Sequence, residues 1–214
     1  LAIWTAMMNL GAVPSQVALL VVVLIPKPTG GERPIGLFPT FTRVLTRWLR
    51  RTYGSAWLAK HPRDFWYGEA GKSVEQCVWA QAAAAEYAAA RGMVACALLL
   101  DLRKAYEMLQ YWLLQREADR FGFDLSILRF LVVLYSMERV IILEGVATGI
   151  VKPLRAVAAG CSFADLMMRL ALMAFVTKAS EAWAGIRLAV VVDDIQVLAV
   201  GERLRVVTTM SKTY

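Results

Sequence analysis

The stretch AVVVDDIQVLAV, Ala189 to Val200, holds nine aliphatic residues in twelve, yet Asp193 and Asp194 stand side by side in its middle. An ionised carboxylate isolated in apolar surroundings is costly, so such groups pair, bind a metal or give up their charge. The stretch itself contains no cation. The partner must come from elsewhere in the chain or from solution. The flanking patterns, Ile186–Val192 and Ile195–Val200, predict two strands joined at the acidic pair.

A second carboxylate is delivered in a similar way. Gly92 precedes the apolar run MVACALLL, which ends abruptly at Asp101. A strand with an acid at its end is the natural reading. Three converging carboxylates without histidine or thiolate among them are hard oxygen ligands suited to Mg²⁺. Two such ions, about 3.5–4 Å apart, would clamp the attacking and leaving oxygens of a phosphoryl displacement. Taken singly, each feature has a plainer reading: the acidic pair makes a hairpin turn and Asp101 caps a helix.

Composition limits the alternatives. The 214 residues suffice for one good core, with or without subdivision. Cys77, Cys96 and Cys161 are odd in number and lack metal-site spacing, which predicts free thiols in an intracellular setting, nucleus or cytoplasm. The single histidine, His61, excludes a multi-histidine metal site and reads as ordinary surface beside Pro62. A net charge of +7 favours a polyanionic partner. Hydrophobic residues make up 58%, so a membrane span has to be tested. Residues 1–26 are uncharged, but Gly11, Pro14, Ser15 and Gln16 interrupt them. The intact remainder, Val17 to Ile25, is too short to cross a bilayer and predicts a buried strand. The start carries no basic region or cleavage pattern, and the expectation is a segment of a longer polypeptide, not a membrane protein.

Further elements follow along the chain. PKPTGGERPIGLF predicts a hairpin with Lys27 and Arg33 near its tip. RVLTRWLRRTY puts Val44, Leu45, Trp48 and Leu49 on one helical face and Arg43, Arg47 and Arg51 on another. Ser73 to Gln76, SVEQ, fits a capping box opening an alanine-rich helix that ends at Arg91-Gly92. Helical patterning resumes through LQYWLLQREADRF, stops at Gly122 and restarts after Asp124. RVIILEGVATGIV predicts a hairpin with Gly145 and Gly149 in its turn region. AAGCSFADLMMRLALMAF reads as a small-residue loop opening into a helix. Strands and helices intermixed with hairpins predict an α+β fold.

The order of these features resembles a reverse transcriptase, specifically the polymerase core of non-long-terminal-repeat retroelements. LIPKPTGGERPIGL is similar to the family's fingers hairpin, and WYGEAGKSVEQ to the segment before its long helix. LLLDLRKAYEML and VVVDDIQVL are similar to its two catalytic motifs, and AAGCSFAD to its template and nucleotide loop. The resemblance runs from about Leu24 to Val200.

It implies a right-hand architecture of fingers and palm, the palm an antiparallel sheet backed by helices, and RNA-templated DNA synthesis. Residues 1–93 would form fingers, 94–108 the first palm strand, 109–155 the connection, and 156–214 the palm with its acidic hairpin. The thumb and primer grip would lie outside the chain. Asp101, Asp193 and Asp194 match the carboxylates that hold two Mg²⁺, or Mn²⁺ in its place. A primer 3′ hydroxyl would attack the α-phosphate of a deoxynucleoside triphosphate on an RNA template. Lys27 and Arg33 match the residues that hold the triphosphate, and Tyr106 the ring that excludes a 2′ hydroxyl. Gly160 would let backbone approach the nascent base pair. Arg43, Arg47 and Arg51 would face phosphates. These cations also suit a solvated surface, and Tyr106 an ordinary core position.

Several positions depart from the pattern. Val191 replaces the usual aromatic, Ala159 the loop's glutamine, and Ala164-Asp165 its serine-proline. Lys212 comes too soon after Asp194 to be the family's later palm lysine. Two other classes therefore stand beside the enzyme: a decayed retroelement remnant that only binds nucleic acid, and a membrane-surface protein using its basic helix. The last leaves the acidic pair unexplained.

Overall fold

The computed structural model describes residues 2–28, 30–68, 71–182, 185–202, 205–207 and 210–211. Glu69, Ala70 and Lys212 lie outside them. The strands are β1 (Leu19–Pro26), β2 (Glu32–Leu37), β3 (Trp66–Tyr67), β4 (Val94–Asp101), β5 (Glu138–Leu143), β6 (Val146–Ala147), β7 (Ile186–Val191) and β8 (Asp194–Gly201). The helices are α1 (Ala2–Leu10), α2 (Thr40–Leu49), α3 (Ser55–Lys60), α4 (Val74–Ala90), α5 (Ala105–Met108), α6 (Tyr111–Arg120), α7 (Leu125–Tyr135) and α8 (Ala164–Ala182). The fold is α+β. The chain divides into two compact units, Leu1–His61 with Lys104–Ala171, and Pro62–Arg103 with Leu172–Tyr214.

The first unit carries a sheet in the order β2-β1-β5-β6. β1 begins two residues later than the apolar run, because Ser15–Val17 form a short 3₁₀ turn before it. β1 and β2 pair antiparallel, and the Lys27 N–H donates to the Gly31 carbonyl at 3.0 Å to close the hairpin. Gly30 and Gly31 have φ of 88° and 79°, where side chains are strained. Pro34 is accommodated because β2 is an edge strand. The β5–β6 turn uses Glu144 and Gly145, both at positive φ, so Gly149 falls beyond it instead of within it.

The basic helix forms, but its buried stripe differs from the expected one. α2 buries Thr42, Leu45, Thr46 and Leu49, whereas Val44 and Trp48 are exposed. The two threonines tolerate burial because their hydroxyls donate to the carbonyls of Pro39 (3.0 Å) and Arg43 (3.2 Å). A π-helical turn, Arg50–Gly54, then joins α2 to α3. His61 is not plain surface. It is half-buried, its ring 4.7 Å from Trp57 and 6.0 Å from Phe121, and its carbonyl accepts from Arg169 Nη2 at 3.0 Å. α7 starts where Asp124 Oδ1 accepts from the N–H groups of Ser126 and Ile127, and it buries Ile127, Leu128, Phe130, Leu131, Leu134 and Tyr135.

The second unit carries a sheet in the order β3-β7-β8-β4. β8 lies between β7 and β4 and pairs antiparallel with both, and short β3 runs parallel to β7. Trp66, Val176, Val190 and Ile195 form a buried cluster, with Phe65, Leu100, Leu172 and Leu188 packed against it. α4 opens with the expected capping box: Ser73 Oγ accepts from the Gln76 N–H, and Gln76 Oε1 accepts from the Ser73 N–H. It ends at Gly92, whose φ is 66°. Along β4, Ala95, Ala97, Leu99 and Asp101 are exposed while Val94, Leu98 and Leu100 are half-buried, as suits an edge strand. Among the described residues, no helix is long and apolar enough to cross a membrane.

Candidate active site

Two strand ends meet in the second unit. β4 and β8 pair so that Asp101 stands directly opposite Asp194, the last pair of an eight-residue register. Directly opposed residues in antiparallel strands have Cα atoms about 4.5–5.5 Å apart and point to the same face. The β7–β8 turn comprises Val192 and Asp193, so Asp194 is the first strand residue and not part of the turn. The plainer reading of the pair as a two-residue turn thus accounts for Asp193 alone. Val192 has a φ of 59°, a left-handed conformation that is strained for a β-branched side chain.

Burial pushes the Asp194 carboxyl above the usual carboxylate range, and the neighbouring charges of Asp193 and then Asp101 push it the same way. Asp194 is therefore close enough to both other acids to feel their charge. The three side chains are not closed around a common point, however: among the described residues, no group of three or more His, Cys, Asp or Glu is arranged to hold a metal ion. A divalent cation is what would offset the repulsion of like charges. Carboxylate oxygens are the hard donors that Mg²⁺ or Mn²⁺ takes.

The other expected site residues lie in the first unit. Lys27 and Arg33 flank the β1–β2 tip, exposed and without an ion pair among the described residues. Tyr106 is half-buried on the short helix α5, which follows Lys104 at a φ of 53°. Its carbonyl accepts from the Val157 N–H at 2.8 Å, and Tyr111 donates from its hydroxyl to the Ala156 carbonyl at 3.2 Å. The structure thus brings Tyr106 together with the loop that carries Gly160.

Gly160 has a φ of 106°, and a Cβ there would collide with the Gly36 carbonyl oxygen of β2. The Gly36 N–H donates to the Ala159 carbonyl at 2.7 Å. The backbone that approaches Gly160 is that of β2. Sequence reading missed Gly36, although a glycine inside a strand is a signal for such approach. It also missed Ala156, buried with a φ of 97°, for which the sequence gives no cue. Asp165, where the resembled family has proline, pairs with Arg50 at 3.1 Å. Arg43, Arg47 and Arg51 are exposed on one face of α2 and the π-helical turn.

No protein-family model and no curated protein sequence matches the chain. Solved structures do. Telomerase from Candida tropicalis truncated from its C-terminal domain aligns over 99% of this chain at 13% identity and a TM-score of 0.62. Telomerase from Candida tropicalis in complex with a TWJ fragment of telomeric RNA aligns over 99% at 12% identity and 0.65. Telomerase from Candida albicans with the corresponding fragment aligns over 98% at 12% identity and 0.54. The chain spans 51%, 40% and 42% of those three chains respectively. What it shares with these reverse-transcriptase-related polymerases is the fold.

Proposed function

We propose that the chain is the fingers and palm portion of an RNA-directed DNA polymerase of non-long-terminal-repeat type, adding deoxynucleotides to a primer on an RNA template. One observation carries this reading: the β4–β8 register that sets Asp101 opposite Asp194, with Asp193 in the adjoining turn. The telomerase-like fold and the order of the five sequence motifs support it.

In this reading Asp101, Asp193 and Asp194 hold two Mg²⁺ ions. Bound there, the ions supply Lewis-acid stabilisation of charge on the attacking and leaving oxygens. Lys27 and Arg33, with free guanidinium and ammonium groups at a hairpin tip, bind the triphosphate through charge-assisted hydrogen bonds. Tyr106 occupies the space a 2′ hydroxyl would need and so selects deoxynucleotides by exclusion. Gly160, locked against β2, fixes the loop that flanks the base pair.

A second reading, a remnant that retains binding but not synthesis, is favoured by the loop itself: Ala159 cannot supply the glutamine amide, and Asp165 is engaged by Arg50. Primer extension on an RNA template with Mg²⁺ or Mn²⁺ separates the two, measured with the natural polypeptide carrying residues 1–214. The expected result is extension that falls by about a thousandfold or more in Asp193→Asn, as loss of a metal-holding group removes several kcal/mol of transition-state stabilisation. Undiminished extension by that variant would falsify the assignment. Binding without any extension selects the second reading.

A further inference from the structure

We propose that the exposed face of α2 and its π-helical turn binds single-stranded nucleic acid, with Arg43, Arg47 and Arg51 on phosphates and Trp48 inserted between successive bases. The inference rests on the nucleic-acid reading above and adds the strand state and the stacking residue.

Four observations converge on it. Arg43, Arg47 and Arg51 are exposed, and none forms an ion pair among the described residues, so three positive charges stand uncompensated on one face. They line a groove of about 340 Å³ together with Thr40, Val44 and Trp48. Trp48 is 46% exposed, less than Trp79 and Trp112, but it is the exposed tryptophan that stands among these arginines. Tyr53, in the π-helical turn, stands edge-on to it with ring centroids 6.3 Å apart and planes at 84°. Trp48 also walls a second groove of about 610 Å³, on which Trp4, Tyr53 and Arg129 open. It is thus a ridge between two recesses, propped by a second ring.

Insertion of a ring decides the strand state, because it spreads two neighbouring bases by roughly one stacking distance, about 3.4 Å. A paired duplex resists such spreading, because each opened step must be unstacked at a cost. A single strand accepts the ring readily, and any base offers a face to it.

The same helix could be imagined on an anionic membrane. Its apolar stripe argues against that, because Leu45 and Leu49 are 1% and 2% exposed and already serve the core of the first unit. Val44, Trp48 and Tyr53 are the exposed large side chains left to enter a bilayer, too little apolar area for an interfacial helix.

Fluorescence anisotropy tests the proposal without nucleotides or metal, so its outcome is separable from that of primer extension. The probes are a labelled 15-nucleotide oligouridylate, a blunt RNA duplex of the same length, and phosphatidylserine-containing vesicles. The oligouridylate is expected to bind more tightly than the duplex or the vesicles. Trp48→Ala should weaken it about 5- to 150-fold, the cost of one stacked base, while Trp48→Phe retains most of the affinity. Trp48→Ala should leave the slope of log affinity against log salt unchanged, whereas Arg47→Ala should reduce its magnitude by about 0.7. Equal single-strand affinity in Trp48→Ala, duplex binding as tight as single-strand binding, or preference for the vesicles overturns the proposal. Loss of binding in Trp48→Phe as complete as in Trp48→Ala also overturns it, since the aromatic face is then not what binds.

Discussion

At the scale of single residues, backbone constraint explains more than side-chain identity does. Gly160 carries no side chain, yet its φ of 106° and its contact with the Gly36 carbonyl make it hard to replace. Gly160→Ala is expected to cost at least ~3 kcal/mol, combining a strained backbone with a backbone clash that no rotamer relieves. Chemical denaturation followed by tryptophan fluorescence reads this directly, and a cost under ~1 kcal/mol would contradict the contact. Asp194 gives a pH-dependent counterpart. Its folded carboxyl titrates above the unfolded one, so the folded state binds the proton more tightly. The metal-free fold is therefore favoured below the unfolded value and loses that contribution as pH rises through the folded one. Thermal melts of the metal-free chain across the carboxylate range should show this decline, and Asp194→Asn should remove its share of it. A melting profile identical in the variant contradicts the raised Asp194 carboxyl, whose first cause is burial.

At the scale of elements, what could be read from the sequence was what local chemistry dictates. The capping box at Ser73 and Gln76, the stop at Gly92 and the restart at Asp124 all appear where the residues demand them. Ser73→Ala should destabilise α4 by about 1 kcal/mol, measured as a shifted denaturation midpoint, because the Gln76 N–H loses its acceptor. An unshifted midpoint would mean that α4 contributes nothing to the cooperative unit. Tertiary context decided the rest. Periodicity alone could not tell that α2 would bury Thr42 and Thr46 in preference to Val44 and Trp48, since hydroxyls bonded to the preceding turn tolerate burial. Nor could it place the β7–β8 turn at Val192-Asp193. Turn propensity favours Asp-Asp over Val-Asp, but the register with β4 makes Asp194 a strand residue. The Gly36–Gly160 approach joins segments more than a hundred residues apart, and only the folded chain brings it into view.

At the scale of the whole molecule, the residues singled out above are divided between the two units. The acidic strand ends belong to the second unit, and the basic hairpin, the arginine face, Tyr106 and the Gly160 loop belong to the first. The net charge of +7 favours a polyanion. The fold is shared with telomerase at 12–13% identity, a level at which architecture persists while almost every side chain has changed. What the architecture must preserve, if the proposed chemistry is right, is the meeting of three carboxylates from two distant segments. Electron paramagnetic resonance of Mn²⁺ titrated into the protein measures that meeting without any turnover. The account predicts saturable binding that is lost or weakened at least tenfold in each of Asp101→Asn, Asp193→Asn and Asp194→Asn. Mn²⁺ binding left intact by Asp101→Asn would show that the strand ends do not share an ion, and the polymerase assignment would fall with it.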